Sequence, residues 1–418
     1  MRRPHVQDIL PHRFPATEPI IDDNNACIYG FGGYEQDIIK VEVIFDAGRW
    51  SEDKQSVAAA CAQLIKSGTA TMSAFELSEK IESYGADIKA SAGYNTFTFS
   101  GHCMLKYLES VLSLFKICME EIVFPETELE LYKKNAISRL KVSKEKTDYH
   151  ADKEFRAALF GADHPYGYSS SEHTISNLTR QDILAYYHSL RTIRPTIILA
   201  GNYESSHITL VAKYLAANDS YEKISNPKNH LIHSATETRI HIPVPKSVQA
   251  TITIGKRIFG RMDAQFPALV LLNTILGGYF GSRLMTNIRE DKGYTYGIYS
   301  AWQSFKYDHL LYINTDTDKK YVDDCIKEIF WEMQRLQEEE ISEEEMQLAK
   351  NYLMGRLLQR IDGPFNLAST FKDYYVESTP MDKFFTISRG IKETDAVTLK
   401  VLAQQLLQKD SFNTIIAG

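Results

Sequence analysis

The chain has 418 residues, 44% of them hydrophobic and 24% charged, with a formal net charge of −7. This is the profile of a globular protein with a sizeable core, long enough for roughly two to four domains. The mild acidity argues against a nucleic-acid partner, which needs a basic face. The five cysteines (Cys27, Cys61, Cys103, Cys118, Cys325) are odd in number and form no C-x-x-C pair. Neither a disulfide framework nor a cysteine-type zinc site is expected, and free buried thiols in a reducing compartment are. Met1-Arg2-Arg3-Pro4-His5 is basic, but no apolar stretch follows it and no run is long enough to span a bilayer. The expected location is the cytoplasm, without a membrane partner.

In chain order, a period-two strand over Val41–Phe45 is followed by a helix over Asp53–Lys66 that stops at Gly68. A further helix and a strand over Thr96–Phe99 come next, then a long amphipathic helix over Leu108–Glu120. The first half closes on the apolar strand Thr196–Gly201. Residues 218–237, within a stretch rich in Asn, Ser, Lys and Pro, read as a linker. The same order then returns. A strand falls over Ala250–Ile254, a helix over Asp263–Leu276 stopping at Gly277, a strand over Leu310–Asn314 and a helix over Tyr321–Leu336. The terminal strand is Asn413–Gly418.

Two matches fix the repeat. Phe124–Lys133 reads like Ile341–Lys350, and residues 124 and 341 are 217 apart; Thr196–Gly201 reads like Asn413–Gly418, and residues 201 and 418 are also 217 apart. Gly68 and Gly277 are 209 apart, so the second half carries extra residues, expected in the loop around Ser300–Asp308. A duplication gives domains at 1–217 and 238–418. Locally paired strands with helices in blocks argue α+β rather than a doubly wound α/β fold. The acidic run Glu338–Glu340 with Glu343–Glu345 reads as a solvated loop entering a helix N-terminus, which favours acidic side chains.

The most specific stretch runs from Leu276 to Tyr296 and contains Gly277-Gly278, Gly281-Ser282-Arg283-Leu284, Asn287-Ile288-Arg289 and Lys292-Gly293. No Lys-Ser or Lys-Thr follows its glycines, so it is not a phosphate loop. It resembles the C-terminal-half signature of the insulinase/pitrilysin-like zinc peptidases, the inverzincins, and the resemblance extends from about Ile39 to Gly418. It implies two homologous α+β domains, each a mostly antiparallel sheet with helices packed on one face, together forming half of a clamshell.

In that family the first half carries H-x-x-E-H on a helix, two histidines four apart holding zinc and a glutamate between them. Counted back from Gly68-Thr69, the five positions here are Ala59, Ala60, Cys61, Ala62 and Gln63. The ligand and base positions are thus Ala59, Ala62 and Gln63, none of them a zinc-site residue. The helix that supplies the family's third ligand corresponds to Lys133–Leu140, which holds no carboxylate and contains Arg139. Neither H-x-x-E-H nor H-E-x-x-H occurs anywhere in the chain, and the close pair His230 and His233 falls in the linker.

The second half keeps what the resemblance assigns to it, an arginine and a tyrosine seven residues apart, here Arg289 and Tyr296. Negative charge builds on a peptide carbonyl oxygen during hydrolysis, and a guanidinium and a phenol aimed at it stabilise that charge. Gly293 should end the helix carrying Arg289, so that Tyr296 opens the next strand. The resemblance further implies that Lys89-Ala90-Ser91-Ala92 form an edge strand able to pair with substrate backbone, and that His164-Pro165-Tyr166-Gly167 is a structural turn.

These readings imply a catalytically incomplete chain that completes a homologous, H-x-x-E-H-bearing subunit for peptide hydrolysis. Zinc would then belong to that partner, with no cofactor in this chain and a homodimer forming when the partner is absent. The alternative is a non-enzymatic peptide-binding or scaffold protein of the same fold, which has no need of Arg289 and Tyr296. A third reading, Cys61 as an autonomous nucleophile, lacks any nearby histidine in sequence.

Overall fold

The computed structural model describes residues 10–15, 17–33, 35–216 and 228–418. The first sheet comprises β1 (Ile21–Asp22), β2 (Cys27–Phe31), β3 (Ile38–Phe45), β4 (Asp87–Ala92), β5 (Phe97–Met104) and β6 (Thr196–Gly201), in the order β1-β2-β6-β3-β5-β4. The second comprises β7 (Arg239–Ile242), β8 (Gln249–Ile258), β9 (Thr295–Ser304), β10 (His309–Asp318) and β11 (Asn413–Ala417), in the order β7-β11-β8-β10-β9. With β1 set aside, the two orders coincide strand for strand. Each sheet has one parallel pair, β2 with β6 and β11 with β7, among antiparallel neighbours. The fold is α+β, as the local pairing of strands required.

Helices of the first half are α1 (Val57–Gln63), α2 (Ala74–Glu82), α3 (Leu108–Glu120), α4 (Glu126–Ser143), α5 (Thr147–Phe160), α6 (Glu172–Ser176), α7 (Arg180–Leu190) and α8 (Ser205–Leu215). Those of the second are α9 (Phe266–Asn273), α10 (Val322–Glu338), α11 (Glu343–Gln359), α12 (Gly363–Val376), α13 (Asp382–Glu393) and α14 (Ala396–Leu406). Side chains alternate across a strand. In β3 and β6, Val41, Val43, Ile197 and Leu199 pack under the first sheet with Leu112, Phe115 and Tyr187. Ile44, Ile198 and Ala200 point the other way, into a cluster with Phe371 and Tyr374 of α12. The second sheet mirrors this. Ile252, Ile254 and Ile313 pack on the second half's own helices, whereas Leu310 and Ile415 meet Phe155 and Leu159 of α5. Each half therefore covers one face of its sheet with its own helices and lends one helix to the other half's sheet. The lent helices are equivalent, since Thr147 and Gly363 begin α5 and α12 216 residues apart. Gly255 permits the α5 contact, because a Cβ there would lie 2.5 Å from the Phe155 ring.

Several boundaries differ from expectation for local reasons. Helix α1 begins at Val57 rather than Asp53, because Ser56 is left-handed at φ 75° and the Glu52 carboxylate takes the N–H groups of Ser56 and Ala58. Helix α9 ends at Asn273 and continues as a π-helical turn, Thr274–Gly278. Gly277 is thus not a helix stop. A Cβ on it would lie 2.6 Å from the Ser300 nitrogen, so the glycine lets the turn approach β9. The loop expected to hold the extra residues is a four-residue turn in both halves, closed by Gly93 N–H to Thr96 O and Phe305 N–H to Asp308 O, each at 2.8 Å. The added length lies instead in β9 and β10, ten residues each against six and eight, and in α10, seventeen against thirteen. Residues added in pairs lengthen a hairpin strand without exchanging its faces.

Residues 217–227 of the expected linker region lie outside the described residues. From Lys228 the chain runs back along the first half: Lys228 Nζ reaches Asp53 (2.7 Å), and the N–H groups of His233 and Ala235 donate to the carbonyls of Phe160 (3.1 Å) and Ala158 (2.8 Å). The two hairpin turns meet at Tyr166. Its hydroxyl donates to Asn95 Oδ1 (2.9 Å) and accepts from the N–H of Tyr307 (3.3 Å), while Lys306 N–H donates to the same Asn95 oxygen (3.2 Å). The Tyr166 ring stacks on Phe305 at 4.3 Å between centroids.

Candidate functional site

On α1, Ala60 and Cys61 are fully buried; of the degenerate positions Ala59 is half-buried, Ala62 buried and Gln63 exposed. Two methyl-bearing residues and a neutral amide offer no ligand set for zinc. Helix α4 supplies no replacement: Lys133 is engaged with Glu130 at 2.6 Å, and Arg139 is exposed. Among the described residues, no three His, Cys, Asp or Glu side chains stand together as a metal-binding group. The nearby Glu52 was not singled out in the sequence. Burial raises its pKa, and its carboxylate caps α1 and accepts from Tyr168 Oη.

Cys61 is fully buried, and burial pushes its thiol well above the ordinary range, so the nucleophile reading fails on protonation and on access. His164 is buried too, its ring stacked on Phe160 and set edge-on to Trp50. Its Nδ1 accepts the Tyr166 N–H at 3.0 Å, which places the ring proton on Nε2, and burial lowers its pKa to about 4. It is a structural residue of the Tyr166 junction. His230 packs against Trp50 and its Nε2 lies 3.0 Å from the Trp50 carbonyl.

Helix α1 packs beside β4, the edge strand of the first sheet. Lys89 and Ser91 are exposed and Ala90 and Ala92 half-buried, and among the described residues only one side of the strand is paired, with β5. The other side presents a free row of backbone donors and acceptors.

In the second half, a π-helical segment, Met285–Asp291, carries Arg289. Its chain turns off at Gly293, left-handed at φ 65°, and β9 opens at Thr295, as the sequence pattern required. Asn287 anchors this segment from behind, its Nδ2 donating to Glu328 (3.0 Å) and to the buried Glu332 (2.9 Å) of α10. The Arg289 guanidinium lies over the Phe280 ring at 4.9 Å, and among the described residues it has no carboxylate partner. Tyr296 is 91% exposed beside the register shift between Thr315 and Thr317.

Strand β9 runs from the turn that meets the first half out to Tyr296, eight residues beyond Ser304 and on the order of 27 Å along the strand. The hydrogen bonds between hairpins pass through Asn95, Tyr166, Lys306 and Tyr307, and not through Tyr296 or β4.

Two α+β halves with the same strand order, each lending a helix to the other's sheet, make a two-domain fold. The family model "Insulinase (Peptidase family M16)" matches residues 34–169, and "Peptidase M16 inactive domain" matches residues 177–353. The chain belongs to the M16 peptidase family. It is 24% identical over 349 residues to a Bacillus subtilis protein named "Uncharacterized zinc protease YmxG", covering 82% of this chain and 83% of that one. Among solved structures, a Helicobacter pylori protease superposes with a TM-score of 0.85 at 15% identity, covering 96% of this chain and 99% of that one. A peptidase M16 inactive domain from Pseudomonas fluorescens superposes with a TM-score of 0.82 at 21% identity, covering 96% and 98%. At such identities these structures share the fold.

Proposed function

We propose that this chain is the non-catalytic subunit of a two-chain zinc peptidase, and that it supplies Arg289 and Tyr296 to the active site of an H-x-x-E-H-bearing homologue. The observation that carries this reading is a guanidinium held by an aromatic ring and, among the described residues, by no carboxylate, with an almost fully exposed phenol seven residues on, in a chain whose α1 has no metal ligand. Both groups donate hydrogen bonds, and together they bind the scissile carbonyl and the negative charge that develops on its oxygen. Arg289 also fixes the peptide by a planar two-pronged contact that a lysine does not reproduce. Metal chemistry belongs to the partner, and this chain holds no cofactor. The five cysteines are free and buried, which fits the reducing cytoplasm where we place the protein. Among the described residues no helix is long and apolar enough to cross a membrane.

The test is peptide hydrolysis by the chain alone, by the partner alone and by the two mixed. Activity is expected only in the mixture, and Arg289→Ala should abolish it while the complex still forms. An Arg289→Ala complex of normal activity sinks the reading. The unpaired edge of β4 supports a second reading, a peptide-binding scaffold, through Lys89, Ala90, Ser91 and Ala92. A complex that binds labelled peptide and never cleaves it would favour that one.

A further inference from the structure

The segment that carries Arg289 is held to α10 by two carboxylates. Asn287 is buried, and its Nδ2 donates to Glu328 (3.0 Å) and to Glu332 (2.9 Å), which lie four residues apart on one face of α10. Lys292 Nζ donates to the other Glu328 oxygen at 3.4 Å. Asn287 and Lys292 are the two ends of one π-turn, joined by the Lys292 N–H to the Asn287 carbonyl at 3.0 Å. Glu328 therefore grips both ends of that turn. Arg289 stands two residues after Asn287, about half a turn round, and points away from α10 onto Phe280.

The grip depends on the helical register. In an α-helix, residues five apart are about 140° apart around the axis, and side chains so placed do not meet at one carboxylate. The contacts thus favour the π-turn over the commoner α-turn, and a slip between the two registers turns the ends of the segment against each other and carries Arg289 with them. The two contacts differ in weight. Lys292 is 41% exposed, so its ion pair is screened by water. Glu332 is 1% exposed, and a hydrogen bond made in such surroundings is stronger. Its other oxygen accepts from Arg335 Nη1 at 3.1 Å, and Arg335 also reaches Glu339 at 3.0 Å. Folding alone does not call for a buried carboxylate here, since an apolar side chain of similar volume often stabilises as well or better.

We infer that Asn287, Glu328 and Glu332 are positioning residues for Arg289: the two carboxylates hold the π-turn through Asn287, and the turn aims the guanidinium at the carbonyl of the bound peptide. The inference rests on the proposed function. The three residues act on the rate only through Arg289.

The experiment measures kcat and KM for the complex of this chain with the H-x-x-E-H-bearing homologue from the same organism, in the native and in the Arg289→Ala background. Asn287→Leu, which removes both amide bonds, should lower kcat about tenfold, the scale of a group misplaced by less than about 1 Å, and change KM and the Kd for the homologue by less than about twofold. In the Arg289→Ala background the same substitution should leave the residual rate within about twofold. Glu332→Leu should lose kcat as well, and Glu332→Gln, whose carbonyl oxygen still accepts from Asn287, should recover most of that loss. Leucine at position 332 fills the same buried space, so the cycle can be closed there where Asn287→Leu does not fold. Equal losses with and without Arg289, or a native kcat in both leucine variants, overturn the inference and leave the proposed function standing. An Arg289→Ala complex of full activity overturns both.

Discussion

Arg289 owes its position to contacts without charge. Phe280 supports its guanidinium, and Asn287 ties the backbone beneath it to Glu332. Removing the side chain should therefore leave folding stability within about 0.5 kcal/mol, as for most surface positions. In the complex, Arg289→Ala should lower kcat by about a hundredfold or more, the scale of one lost donor to a developing oxyanion, and Arg289→Lys should recover little of it. Steady-state kinetics beside urea unfolding of the same variants separates the two effects. His164 makes a pH-dependent contribution of definite sign. Its pKa is about 4 when folded against about 6.5 when unfolded. The unfolded chain therefore takes up a proton first as pH falls, and stability present above pH 6.5 is lost progressively toward pH 4. By pH 5.5 the loss is about 1.4 kcal/mol. The urea midpoint of the native chain should fall between pH 7 and 5.5 by more than that of His164→Gln; equal slopes would assign the pH dependence elsewhere. The turn at Gly293 and the strand that opens beyond it were readable from the sequence, whereas Arg289 and Tyr296 were singled out by the family resemblance. The anchoring of Asn287 by Glu332 was not readable, because the two positions are 45 apart in sequence and only packing brings them together.

Two elements put these residues where they are, and they differ in how far the sequence announces them. The π-helical turns at Thr274–Gly278 and Met285–Asp291 leave no trace in hydrophobic spacing, which read them as ordinary helix with a glycine stop. Their mark is Gly277, pressed against Ser300. Gly277→Ala should cost about 1–3 kcal/mol through the forced shift of the turn from β9. Denaturant unfolding measures this, and near-native stability would place the tolerance in a relaxed turn. Strand β4 was expected at an edge only through the family resemblance, and in the fold Lys89 and Ser91 are exposed there while Ala90 and Ala92 pack against the core. If it takes up a peptide, the attachment runs through backbone hydrogen bonds. A labelled peptide with alternate backbone nitrogens methylated should then lose most of its fluorescence-polarisation signal on the chain or its complex, whereas a change of exposed side chain should matter less. Equal binding by the methylated and plain peptides rules out strand addition.

The whole molecule is held by a junction and an exchange. Tyr166 joins the two hairpin turns through its hydroxyl and its ring. Tyr166→Phe keeps the ring and leaves the Tyr307 N–H without its acceptor, which should cost about 1–2 kcal/mol. It should also speed hydrogen exchange at Asn95 and Tyr307 more than in the centre of either sheet; uniform exchange would mean that the halves are locked elsewhere. The duplication was legible because two matches share one spacing. The exchange of α5 and α12 was not, since alternating strands buried on both faces look the same whichever half supplies the cover. That exchange sets an order for synthesis on the ribosome. The first sheet is complete once residue 201 has emerged, yet Ile44, Ile198 and Ala200 wait for a cover that ends at residue 376. At about 5–20 residues per second this interval lasts roughly 10–35 seconds. Throughout it the nascent chain presents an apolar sheet face to whatever chaperone or neighbouring polysome reaches it first.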